Sequence, residues 1–118
     1  MEWNLDLQNV INDTSSLEDK EGYAVDFNGD LISSQGTACF GIVHEGRPAD
    51  KASVAAVRGI RDVQVDGGTA NISINDPLTA GGGSVTGQMT KATIGTHPIR
   101  AYAMEAATTQ TTIKAYLV

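Results

Sequence analysis

The sequence predicts a single all-β domain, a small sandwich or barrel (β-tulip-like) of short antiparallel strands with at most one short helix. Three observations carry that prediction. Ala, Val, Ile, Thr and Gly dominate the apolar and small residues of the 118-residue chain while aromatics are few, and Val, Ile and Thr suit a pleated, half-buried surface. No long stretch repeats its apolar residues every three to four positions. Turn-forming Gly, Asn and Asp recur at short intervals between alternating segments.

The first 20 residues read as an extended arm, and 21–118 as one β-domain. Trp3, Leu5 and Leu7 alternate as in a strand, and Val10 and Ile11 follow before the loop-like Asp13-Thr14-Ser15-Ser16. Ser15 and Glu18 have the spacing of a capping box for one short turn. Five apolar side chains are too few to hold 20 residues against their lost entropy. The arm therefore needs backbone pairing with a partner, as a strand added by Trp3–Leu7 to an exposed sheet edge with Trp3 as the anchor. Trp3, Leu5, Leu7, Val10 and Ile11 are its candidate contact residues.

In the body, Tyr23–Phe27 and Leu31–Ser34 flank Asn28-Gly29, a dipeptide suited to a tight hairpin because both residues tolerate positive φ. Ala38–His44 forms the next strand. Ala52–Arg58 alternates up to Gly59, read as a break, and Ile60–Val65 continues to the turn Asp66-Gly67-Gly68. Thr69–Ile74 is expected to return. Asn75 to Ser84 reads as a loop, with at most one helical turn started by Pro77, and Val85–Thr93 as a weaker strand. Pro98–Ala106 and Gln110–Val118 alternate clearly and flank a short connection, so they should pair as a hairpin.

Charge and motifs exclude several function classes. The net charge is −6, with eight acids and one base in residues 1–30 against six acids and seven bases in the remainder. No basic stripe exists for phosphate, which argues against direct nucleic-acid binding. The lone Cys39 rules out an internal disulfide and reads as a small buried hydrophobe. No secretory signal or membrane-spanning run is visible, so a cytosolic origin is expected and the sequons at Asn12 and Asn71 carry no meaning.

Catalytic candidates fail on spacing. His44 and His97 are isolated from other metal ligands. Gly81-Gly82-Gly83-Ser84 lacks the lysine and helix of a phosphate loop. Asp26, Asn28 and Asp30 match the start of a calcium loop, but Leu31 replaces its glycine and Thr37 its final glutamate. Lys91 in Met89-Thr90-Lys91-Ala92 is weakly similar to the lysine of lipoyl and biotinyl carrier domains, without the usual neighbouring acid. No enzyme activity, cofactor or metal is expected.

From Leu17 to Val118 the order of features resembles the capsid cement, or head decoration, proteins of tailed bacteriophages. The resemblance is carried by Phe40-Gly41-Ile42-Val43, by Ser53-Val54-Ala55-Ala56-Val57-Arg58-Gly59 running on into Ile60–Val65, and by Ile74-Asn75-Asp76-Pro77-Leu78-Thr79. Ile99–Ala107 and a terminal strand complete it. Asn75 stands where Gly is common. The resemblance implies a homotrimer on the outer surface of an expanded head, bound to the major capsid protein and resisting internal DNA pressure. It also implies localisation to the virion after synthesis in the host cytoplasm. A glycan- or host-surface-binding module of a head fibre or tail is the alternative expectation.

Overall fold

The computed structural model describes residues 3–11 and 16–118. It contains eight strands: β1 (Trp3–Ile11), β2 (Ala24–Val25), β3 (Gly41–Glu45), β4 (Ala52–Asp66), β5 (Pro77–Ala80), β6 (Met89–Lys91), β7 (Ala101–Ala103) and β8 (Gln110–Leu117). The fold is all-β, and no helix occurs among the described residues.

The long strand β4 organises everything else. At Ala55 it pairs with Gln8 of β1 and with Val43 of β3; at Ile60 it pairs with Trp3 of β1 and with Tyr116 of β8. A strand has two edges, so β1 lies on one and β3 and β8 share the other. The C-terminal half of β4 continues through β6, β5, β7 and β8 back to itself, closing a five-stranded barrel. Closure removes the unpaired edges an open sheet would present. Its N-terminal half extends outward and carries β1, β3 and β2. Most pairings are antiparallel; the short β4–β6 contact, at Val65 and Met89, is parallel.

Two cores follow from this layout. The larger holds Val63, Val65, Leu78, Met89, Ile113 and Leu117 with many alanines, including Ala101, Ala103 and Ala115. Small residues are what a narrow barrel interior admits beside its few larger ones. The smaller core joins Val10, Leu17, Val25, Val43 and Ala55. Successive residues Ile42 and Val43, or Ala55 and Ala56, enter different cores. The outer sheet is therefore covered on both faces, one by the barrel and the other by the segment around Leu17. That is why β2 and the start of β3 are buried without alternation. The approach is close: Leu17 N–H donates to the Arg47 carbonyl at 2.9 Å, and a side chain on Gly46 would lie 1.8 Å from the Leu17 carbonyl.

Several expectations are corrected. Gly59 does not end a strand: β4 runs through it, and its φ of +108° supplies the irregularity between the two halves. Thr69–Ile74 is not a strand, contributing only a bridge between Ile72 and Ala107. The segment starting at Pro77 is neither loop nor helical turn but the barrel strand β5. Asn75 adopts φ +76°, the Asp76 carboxylate accepts the Ser73 N–H at 2.8 Å, and Pro77 takes the first strand position, where its missing N–H is tolerated. Val85–Thr93 shrinks to β6, and the strand expected over Leu31–Ser34 to a bridge between Leu31 and Val25.

A turn forms at Asn28-Gly29, but only Gly29 takes a positive φ (+84°), and the turn closes between Asp26 and Asp30 instead of as a two-residue hairpin. The β7–β8 hairpin also forms, with Ala101 opposite Leu117 and Ala103 opposite Ala115. Ser15 of the capping box lies outside the described residues. Ser16 Oγ instead accepts the Glu18 N–H at 3.1 Å, and the chain turns at Asp19. No helix among the described residues is long and apolar enough to cross a membrane.

Candidate interaction surface

Three of the five arm residues have described side chains, each in a different environment. Val10 is 5% exposed in the smaller core, Leu5 is half-buried against the larger one, and Leu7 faces solvent at 44%. The backbones of Trp3 and Ile11 pair with Ile60 and Ala52, while their side chains lie outside the described part of the structure. The arm thus adds its strand to β4 of its own chain, not to a partner's edge as expected. Asp6, exposed beside it, forms an ion pair with Arg58 at 3.5 Å.

The sheet register assembles a surface that spans four strands. Pro77 on β5 lies opposite Tyr102 on β7, Tyr102 opposite Tyr116 on β8, and Tyr116 opposite Ile60 on β4. Directly opposed residues point to the same face, with Cβ atoms about 5 Å apart. Ala101, Ala103, Ala115 and Leu117 fill the barrel, so this row lies outside it. Tyr102 is 41% exposed and Tyr116 47%. Met104 and Val118, two positions along on the same face, are exposed to 43% and 48%. Below the row, Lys114 Nζ meets Asp62 Oδ1 at 3.0 Å, and the Glu105 carboxylate accepts the Lys114 N–H at 2.6 Å.

Two polar anchors stiffen the surroundings. Arg100 reaches from the start of β7 to the carbonyls of Cys39 (3.1 Å), Phe40 (3.0 Å), Val57 (2.6 Å) and Val118, clipping the outer sheet to the barrel. At the far end of β4, the carboxylate of Asp66, 1% exposed, accepts the N–H groups of Gly68, Thr69 and Ser84 and both of the latter two hydroxyls. These bonds, those from Ser84 foremost, hold its pKa down at about 2 despite burial. The Gly81–Ser84 run is thereby a structural loop fastened to the turn after β4.

The other candidates are spent locally. Asp26 Oδ1 accepts the N–H groups of Asn28 and Asp30, closing its own turn. His97 Nδ1 accepts the Thr93 N–H at 3.0 Å. His44 is half-buried, its Nδ1 without a hydrogen-bond partner. Lys91 faces Asp76 at 3.5 Å. Burial pushes the Cys39 thiol up to about 11. Among the described residues, no group of three His, Cys, Asp or Glu side chains is placed to hold a metal.

The tyrosine row was only half visible in sequence. Alternation sets Tyr102 on the face opposite Ala101 and Ala103, and Tyr116 on the face opposite Ala115 and Leu117, and the hairpin makes the two strands neighbours. Their direct opposition, and the addition of Pro77 and Ile60, follow from barrel closure. No family model, characterised protein or solved structure matches the chain.

Proposed function

We propose that the chain is a structural virion protein, a cement or decoration subunit that binds the outer surface of an expanded bacteriophage capsid as a trimer and stabilises it against internal DNA pressure. The resemblance over Leu17–Val118 motivates this reading. The observation that carries it is a stiff, closed barrel bearing an ordered apolar row, Pro77, Tyr102, Tyr116 and Ile60, on its outside. A small closed body with a surface through which copies can associate suits covering a shell, because linked copies multiply weak contacts through effective concentration.

Mixing the purified protein with bare expanded heads tests the proposal. Binding near the abundance of the capsid subunit and a raised disruption temperature are expected. Heads that neither bind it nor gain stability refute it.

A second reading, a glycan- or host-surface-binding module, is favoured by one observation. The exposed Tyr102–Tyr116 pair offers aromatic faces of the kind on which sugars stack, beside the polar Lys114 and Asp62. Selective binding on a glycan array, lost on replacing both tyrosines, supports that reading over the first.

A further inference from the structure

We infer that the outer face of β7, β8 and the second half of β4, centred on Tyr102 and Tyr116, is the contact between copies of this chain. The inference rests on the assembly proposed above in one respect only, that copies associate; it names the surface they use.

Area sets the scale. Tyr102, Met104, Tyr116 and Val118 are between 41% and 48% exposed. At roughly 150–200 Å² for a fully exposed side chain of this size, they offer about 300 Å² together, before Ile60 and Pro77 are added. A stable interface takes about 800 Å² from each partner, apolar at its centre and polar at its rim. The row has the size of such a centre. Its aromatic content is also what centres of interfaces favour.

Charge selects the occupant. The chain carries −6 overall, and residues 1–30 hold eight acids against one base. Around the row the balance is even: Asp6, Asp62 and Glu105 stand against Arg58, Arg100 and Lys114. Asp6 is paired with Arg58 and Asp62 with Lys114 within the chain, and Arg100 is bonded to backbone carbonyls. A basic partner would find little to attract it here. The acidic surplus lies in residues 1–30, and copies that meet through this locally neutral face avoid opposing it with like charge.

Both tyrosines are surface residues of a hairpin whose inward side chains are untouched by substitution, so Tyr102→Thr with Tyr116→Thr keeps strand-compatible residues. Sedimentation equilibrium of the full chain up to about 100 μM is the measurement, with circular dichroism and thermal unfolding of each variant. The wild type is expected to associate, and the double variant to associate on the order of 100-fold more weakly while retaining its fold. Ile94→Ser, which alters a 75% exposed apolar residue of a different loop, should associate like wild type.

A monomeric wild type overturns the inference, as does an oligomer that survives the double substitution. Should the double variant unfold, Tyr116→Lys alone provides the same comparison. Binding to heads is scored separately. A wild type that oligomerises through this face but ignores heads leaves the inference standing and removes the capsid reading. A monomer that binds heads through these tyrosines assigns the face to the shell and overturns the contact between copies.

Discussion

Replacing Asp66 by Asn should destabilise the fold and erase a defined part of its acid sensitivity. The Asp66 carboxylate accepts five hydrogen bonds, two to Oδ1 from the turn at Gly68 and Thr69 and three to Oδ2 from Thr69 and Ser84. An amide keeps one acceptor but turns its NH₂ toward N–H groups on the other side, so at least one donor set loses its partner. The pKa is depressed from 3.8 to about 2. At about 1.4 kcal/mol per tenfold change in acidity constant, the ionised form stabilises the fold by roughly 2 kcal/mol. Because Gly68, Thr69 and Ser84 are themselves exposed, solvent screening reduces this to on the order of 1–2 kcal/mol.

The sign is fixed by the direction of the depression. The folded state favours the ionised form, so the contribution is complete above about pH 4 and disappears as pH falls toward 2. Urea unfolding of wild type and Asp66→Asn at pH 7 should differ by about 1–2 kcal/mol, and the difference should shrink to less than half at about pH 2.5. For a chain of this length that corresponds to a Tm loss of roughly 5–10 °C at neutral pH. A difference below about 0.5 kcal/mol at pH 7, or one that does not change with pH, refutes the assignment of Asp66 as the fastener of the glycine-rich loop.

Arg100→Lys should cost about 2–3 kcal/mol in urea unfolding, because an ammonium group cannot reproduce the fork that serves four carbonyls on three segments; a loss under 0.5 kcal/mol contradicts the clip. Cys39 should resist alkylation at pH 8 in the native protein and react at the ordinary rate in denaturant, since burial holds its thiol near 11; equal rates by mass spectrometry would count against its burial. Deleting residues 2–12 removes β1 and uncovers the edge of β4 that it pairs with. The barrel should persist by circular dichroism with about 2–4 kcal/mol less stability, Val10 alone contributing ~1.5–3, and with weaker binding to heads; a truncated chain of unchanged stability would mean β1 adds nothing to the body.

Local chemistry made much of the fold legible. Alternation over Gln110–Val118 and Pro98–Ala106 predicted β8 and β7, and Asn28-Gly29 predicted its turn, because these depend on residues close together in the chain. The same locality misled at Gly59 and Pro77. Both are strand breakers by propensity, yet Gly59 sits where β4 passes from the outer sheet to the barrel, and Pro77 opens a strand enclosed by β6 and β7. Thr69–Ile74 has strand-like composition but finds no ladder to join beyond the bridge at Ile72.

The chain by itself determined that this is a β protein with its acidic charge gathered at one end, since side-chain shape, turn propensity and charge belong to residues individually. Tertiary structure alone decided that the first strand folds back on β4, that Ser84 meets Asp66 across 18 positions, and that Pro77, Tyr102, Tyr116 and Ile60 form one row. Those alignments depend on strand register and barrel closure, which are set when distant segments bury their apolar faces together, and no short window of sequence contains that choice.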